Sequence, residues 1–216
     1  MQHISRSLWI LLVSLFSAAA LAQDDGLANG ILDIQHEWEH VHYQLPKDKQ
    51  DAAFQHVEED TAALVKQYPG RAEPLVWKAI VLSTHAGVKG GLSALSMVRQ
   101  ARDLLEQAEK IDPAALDGSI YTTLGSLYYQ VPGWPLGYGD DKKAEALLKK
   151  ALEINPNGID ANYFYGDFLY RKGQYPEALA ALEKAMHAPE RPSRPLADVG
   201  RRKEIQAVIA KIKDKT

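Results

Sequence analysis

The sequence predicts an all-α fold built from antiparallel helix pairs, and three observations lead there. Apolar residues recur at spacings of three and four, with no convincing alternating run that would signal a strand. Proline and glycine divide the chain into segments of helical length. A common arrangement of small and bulky residues then returns along the chain, which makes one helix pair the repeating unit.

The chain has 216 residues, 46% of them hydrophobic, so it is long enough to bury a core, and one domain is the expectation. A net charge of −3, with Lys and Arg spread along the chain, gives no electrostatic footprint for nucleic acid or an anionic membrane. Cysteine is absent, which excludes disulfides, thiolate metal sites and thiol catalysis.

The first element is not expected to belong to the fold. Arg6, an apolar run from Leu8 to Phe16, and the small-x-small triplet Ala20-Leu21-Ala22 have the layout of a secretory signal peptide over residues 1–22, with the mature chain beginning at Gln23. The apolar run is shorter than the about 20 residues a bilayer span needs. Export of a soluble, cysteine-free protein to the periplasm is the expected outcome.

Residues 23–216 then read as one helical domain. Leu27 to Tyr43 and Lys47 to Gln67 form an antiparallel pair closed by Tyr68-Pro69-Gly70. A second pair carries Trp77 and Ile80, then Ala101, Leu105 and Ala108, with an extended connection expected through Gly87-Val88-Lys89-Gly90-Gly91. The third spans 118–156: Tyr121, Leu124, Gly125 and Tyr128 lie on its first helix, and Ala144, Leu148 and Ala151 on its second. Between them lies an insertion of about seven residues within Val131 to Asp141, kept out of a helix by its prolines and glycines. The fourth, 159–189, places Gly166 where helices cross, Gly173 and Tyr175 at the turn, and Ala178, Leu182 and Ala185 on the inner face. Residues 196–213 read as a solvent-faced capping helix, for about nine helices in all.

These residues resemble the tetratricopeptide repeat (TPR), whose W-x2-L-G-x2-Y pattern is matched by Tyr121, Leu124, Gly125 and Tyr128. The resemblance implies a right-handed superhelix whose concave face, lined by the first helix of each pair, holds peptides, protein segments or small ligands. The Pro132-Gly133-Trp134-Pro135 loop, with Gly137-Tyr138-Gly139-Asp140 and Asn162-Tyr163-Phe164-Tyr165, is similar to the periplasmic T component of TRAP-type transporters. That likeness implies pairing with a transporter's solute-binding protein and a capacity to form homo-oligomers. The chain lacks the lipobox cysteine common in that group, so no membrane anchor is expected after signal cleavage.

TPR register places Lys78, Leu82 and His85, then Thr122, Ser126, Tyr129 and Gln130, then Tyr163, Asp167, Tyr170 and Arg171 toward the concave face. The expected partner-binding set is Lys78, His85, Tyr129, Gln130, Tyr163, Asp167, Tyr170 and Arg171, joined by Trp134 and Tyr138 of the long loop. Two readings of that loop stay open: it presents its aromatics to a partner, or it folds back into a gap between repeats.

His36-Glu37-Trp38-Glu39-His40 is a literal H-E-x-x-H, which puts two imidazoles on one helical face where they can hold zinc. His56, Glu58 or Glu59 is within reach in sequence as a third ligand. No sheet is available to shape a peptidase cleft, and the motif begins only 14 residues after the expected cleavage site, which leaves no room for strands upstream, so the expected role is a solvated amphipathic face with Trp38 turned inward. No Ser-His-Asp arrangement, phosphate-cradling loop or dinucleotide fingerprint occurs. The sequence therefore predicts a binding scaffold with no enzyme activity, no cofactor and no metal. The alternatives are an oligomeric carrier of a hydrophobic small molecule and, more remotely, a zinc metallopeptidase at His36 and His40.

Overall fold

The computed structural model describes residues 25–215, and the segment read as a signal peptide lies outside them. Nine helices follow among the described residues, without a strand. The first, α1, covers 25–43. The others are α2 (Lys47–Gln67), α3 (Ala72–Lys89), α4 (Gly91–Ile111), α5 (Ala115–Gln130), α6 (Asp141–Ile154), α7 (Ile159–Arg171), α8 (Tyr175–Met186) and α9 (Pro195–Lys213). None is long and apolar enough to cross a membrane.

Local chemistry sets the boundaries. The Asp140 carboxylate caps α6 by accepting the amides of Lys142 and Lys143 at 2.9 and 3.1 Å. Gly173, at φ +75°, ends α7 in the left-handed conformation and lets Gln174 N donate to the Leu169 carbonyl at 3.0 Å. Pro176 then sits in the first turn of α8, where its missing N–H costs nothing. The extended connection expected over residues 87–91 does not form. Helix α3 runs on to Lys89, and Gly90 and Gly91, at φ +65° and +66°, turn the chain into α4.

The repeat is visible in atomic detail. A Cβ on Gly125 would stand 2.7 Å from Leu148 Cγ and 3.3 Å from the Ala144 carbonyl; a Cβ on Gly166 would meet Leu182 Cγ and the Ala178 carbonyl at the same two distances. Gly166 follows Gly125 by 41 positions and Leu182 follows Leu148 by 34, so the loop insertion is seven residues long. Each glycine lets the two helices of its pair approach to side-chain-on-backbone contact. Ala101, Leu105 and Ala108 in α4, Ala144, Leu148 and Ala151 in α6, and Ala178, Leu182 and Ala185 in α8 are all fully buried and form one continuous core. A second cluster joins α1 and α2 to the start of α3 through Trp38, Phe54, Val57, Trp77 and Val81.

The C-terminal helix is more than the solvent-faced cap expected. One face of α9 packs on α7 and α8. Its other contacts are with α1, at the opposite end of the chain. Glu39, only 2% exposed, accepts Arg194 Nε at 2.6 Å and the Ala197 amide at 3.3 Å. His36 donates to the Ser193 carbonyl at 2.8 Å, and His42 meets Glu204 at 3.3 Å. Gly200 lies flat against the Tyr43 ring, where a Cβ would come within 2.4 Å of ring carbons. The first and last helices thus touch, and the array closes on itself.

Candidate functional site

Where α1 and α9 meet, the concave face forms a half-open cavity of about 790 Å³ lined by residues of α1, α2, α3, α5, α7, α9 and the 191–194 segment. The same five register positions of two repeats face it: Ser119, Thr122, Thr123, Ser126 and Gln130 in α5, and, 41 residues on, Asp160, Tyr163, Phe164, Asp167 and Arg171 in α7. The α5 wall is therefore small and neutral, while the α7 wall is charged and aromatic. In α3 the facing residues include Trp77, Ile80, Ser83, Thr84 and Val88.

Of the residues expected on the concave face, Thr122, Ser126, Gln130, Tyr163, Asp167 and Arg171 line the cavity. Lys78 and His85 do not, because the α3 register is displaced by one residue from the expected one: Trp77 and Thr84 take those places. One residue along a helix is about 100° of rotation, enough to move a side chain to another face. His85 is instead 2% exposed and turned toward α2, with Nδ1 2.5 Å from Glu58 and Nε2 2.6 Å from Asp51. The ring thus bridges the Glu58 and Asp51 carboxylates. The hydrogen bond from His85 and a second from Lys89 hold the Asp51 carboxyl below its ordinary range.

Tyr129 and Tyr170, which occupy the same register position in successive repeats, also sit outside the cavity lining. Tyr129 packs on Phe168 and donates to Asp167 at 2.8 Å; burial and that carboxylate push its hydroxyl well above the ordinary tyrosine value. Tyr170 stacks near Tyr175 under Lys215. In the α5–α6 loop the two aromatics part. Tyr138 folds back, donates to the Val98 carbonyl at 2.8 Å and lies under Arg102, filling the gap against α4. Trp134 points outward and is 90% exposed.

The charges lining the cavity form a network that composition alone does not reveal. Arg201 Nε and Arg191 Nη1 each donate to Asp160 at 2.7 Å, and Arg201 also reaches Glu204 at 2.5 Å. Burial opposes ionisation of Asp160, yet the guanidinium groups of Arg201, Arg191 and Arg194 overcome it and hold the carboxyl well below the usual carboxylate range. Arg201 covers the rings of Tyr163 and Phe164 at 4.5 and 4.9 Å, and Arg194 lies 5.1 Å over Trp77. Burial lifts the Tyr163 hydroxyl to about 12 despite Arg201. The participation of 191–204 was not foreseeable from repeat register, since α9 falls outside the repeats.

His36 and His40 are exposed and separately engaged, His36 with the Ser193 carbonyl and His40 with the Gln44 side chain at 2.7 Å. Burial and the neighbouring Asp60 raise the Glu37 carboxyl. His56 lies beside Glu59, and Glu58 is taken by His85. Among the described residues no three His, Asp or Glu side chains are grouped to hold a metal ion.

Comparison with known proteins agrees with this architecture. A tetratricopeptide repeat family model matches residues 136–192. A solved thermophilic TPR protein of Thermus thermophilus superposes with a TM-score of 0.57 at 17% identity, covering 93% of this chain and 96% of that one. Structures of MamA (TM-score 0.45, 20% identity, 80% and 95% covered) and Pseudomonas aeruginosa pilF (0.36, 14%, 88% and 90%) also align. No curated protein matches the sequence. The fold is that of an array of tetratricopeptide-type helix pairs, with the repeat's own sequence pattern recognised over residues 136–192.

Proposed function

We propose that this chain is an exported protein-interaction scaffold that docks its partner on the braced loop between α5 and α6 and works by binding without turnover. The observation that carries this reading is the loop's apolar tip. Trp134 is 90% and Leu136 64% exposed. Below them the loop is pinned: Gly139 N donates to the Pro132 carbonyl at 3.0 Å, Asp140 N to the Tyr128 carbonyl at 2.8 Å, and Tyr138 anchors it to α4. Leu92, 86% exposed, lies on the same helix α4. A large apolar side chain held outward on a rigid loop is the kind of anchor that dominates protein interfaces.

The proposed partner is a periplasmic solute-binding protein of a TRAP-type transporter, following the likeness of the loop to the T component. Location in the periplasm rests on the signal-like segment 1–22. An apolar cargo is a poorer fit, because the cavity is lined by Lys47, Lys211 and four arginines. The test is capture from periplasmic extract with the chain starting at Gln23, beside Trp134→Ala/Leu136→Ala. Retention of a solute-binding protein by the unsubstituted chain alone supports the proposal. Equal capture by both rules out the loop as the docking site.

A further inference from the structure

We infer that the contact between α1 and α9 is a reversible clasp: the two ends of the array part and rejoin while the helix pairs stay folded, so that the concave face alternates between a half-open cavity and an open groove. This motion is separate from partner docking on the α5–α6 loop.

What joins the two helices is polar and directional. Glu39 accepts Arg194 Nε and the Ala197 amide, His36 donates to the Ser193 carbonyl, His42 meets Glu204, and the Tyr43 ring lies on Gly200. Among the described residues the two helices share no apolar core. The core residues of α1, Leu27, Ile31, Ile34, Trp38 and Val41, pack with α2 and α3. Those of α9, Ile205, Val208 and Ile212, belong to the core of the later repeats. Parting the seam therefore leaves both cores closed.

Opening also costs less than the burial of Glu39 suggests. Removing one partner strands a buried charge, but parting the seam returns Glu39 and Arg194 to water together, and hydration replaces what the pair loses. The Tyr43 hydroxyl is buried with no hydrogen-bond partner among the described residues, a demand that water meets once Gly200 moves away.

A second, independent observation places the bend. Of the helices along the concave face, α1, α3, α5, α7 and α9, the middle one is α5, and a change of angle there moves the two ends farthest apart. Its first turn is wound in the left-handed sense, with Leu116, Asp117 and Gly118 at φ +53°, +52° and +81°. Gly118 takes that conformation freely, whereas Leu116 and Asp117 each carry a Cβ that crowds the following carbonyl. Leu116 packs against both hydrophobic clusters, so the strained turn sits where they join. The closed array holds this strain in place, and rewinding the turn in the right-handed sense as α5 swings releases it.

The test is pulsed electron spin resonance on the chain from Gln23, which has no native cysteine to compete for spin labels. Labels at Asp33→Cys in α1 and Lys203→Cys in α9, two exposed positions, span the seam; labels at Ala146→Cys in α6 and Glu183→Cys in α8, also exposed, report on the array away from it. Gly200→Ala favours helix in α9 yet drives a methyl group into the Tyr43 ring, so it separates opening from unfolding. The 33–203 distance should lengthen in Gly200→Ala. In Glu39→Gln the ratio of long to short distances should rise about tenfold or more, the worth of a charge-assisted hydrogen bond. The 146–183 distance and the circular dichroism should stay as in the parent. Asp117→Gly, added to Gly200→Ala, should return the distribution toward the short distance by removing strain from the closed form. A 33–203 distance unchanged in both Gly200→Ala and Glu39→Gln overturns the clasp, as does lengthening that comes with a longer 146–183 distance or lost helix. No return with Asp117→Gly overturns the bend at residues 116–118.

Discussion

Closure of the array by α1 and α9 rests on Glu39, and its removal is the sharpest perturbation the structure offers. Glu39→Ala leaves Arg194, whose side chain is 13% exposed, without its carboxylate, and strips the Ala197 amide of its acceptor. Breaking one partner out of a buried pair costs about 3–5 kcal/mol. For a domain of this size each kcal/mol lowers the melting temperature by about 2–4 °C, so a drop of roughly 10 °C is expected. The assay is urea and thermal unfolding of Glu39→Ala, Arg194→Ala and the double variant, with amide hydrogen exchange read along the chain. The double variant should cost less than the two single changes added together, because the pair is shared. Exchange should rise first in α9 and α1, while α5 and α6 stay protected. A cost for Glu39→Ala below about 1 kcal/mol, the value of an exposed ion pair, would refute closure as a stabilising contact.

Three other expectations follow from single sites. Because its arginine neighbours hold Asp160 below the ordinary carboxylate range, its contribution is present at neutral pH and lost as the pH falls toward its folded value. Asp160→Asn should therefore be less stable than the parent at pH 7, with the gap narrowing below about pH 4, as measured by urea midpoints across a pH series. Gly125→Ala and Gly166→Ala should each cost about 1–3 kcal/mol through the same clash with a leucine, and costs differing severalfold in urea unfolding would contradict equivalent repeats. Asp117, at φ +52°, sits in the left-handed region, so Asp117→Gly should stabilise by about 1 kcal/mol in chemical denaturation.

The candidate cavity was partly legible before folding. Thr122, Ser126, Gln130, Tyr163, Asp167 and Arg171 could be assigned to the concave face because the third and fourth repeats carry clear glycine and leucine markers that fix helix rotation. Assignment failed in α3, where a weaker pattern left the register one residue adrift and put His85 on the wrong face. Tyr129 and Tyr170 were misplaced for another reason: an aromatic at the edge of a helical face turns toward whichever neighbour covers it, here Phe168 and Tyr175.

By itself, the sequence determined the all-α class, the helix pairs, the length of the loop insertion and the glycines at which the pairs cross. Each of these depends on residues a few turns apart, where periodicity and backbone sterics suffice. Only the tertiary structure decided that the array closes, because Glu39 and Arg194 are 155 positions apart and nothing local brings them together. It also decided that Arg191 and Arg201 meet on Asp160, since they lie 31 and 41 positions from it along the chain.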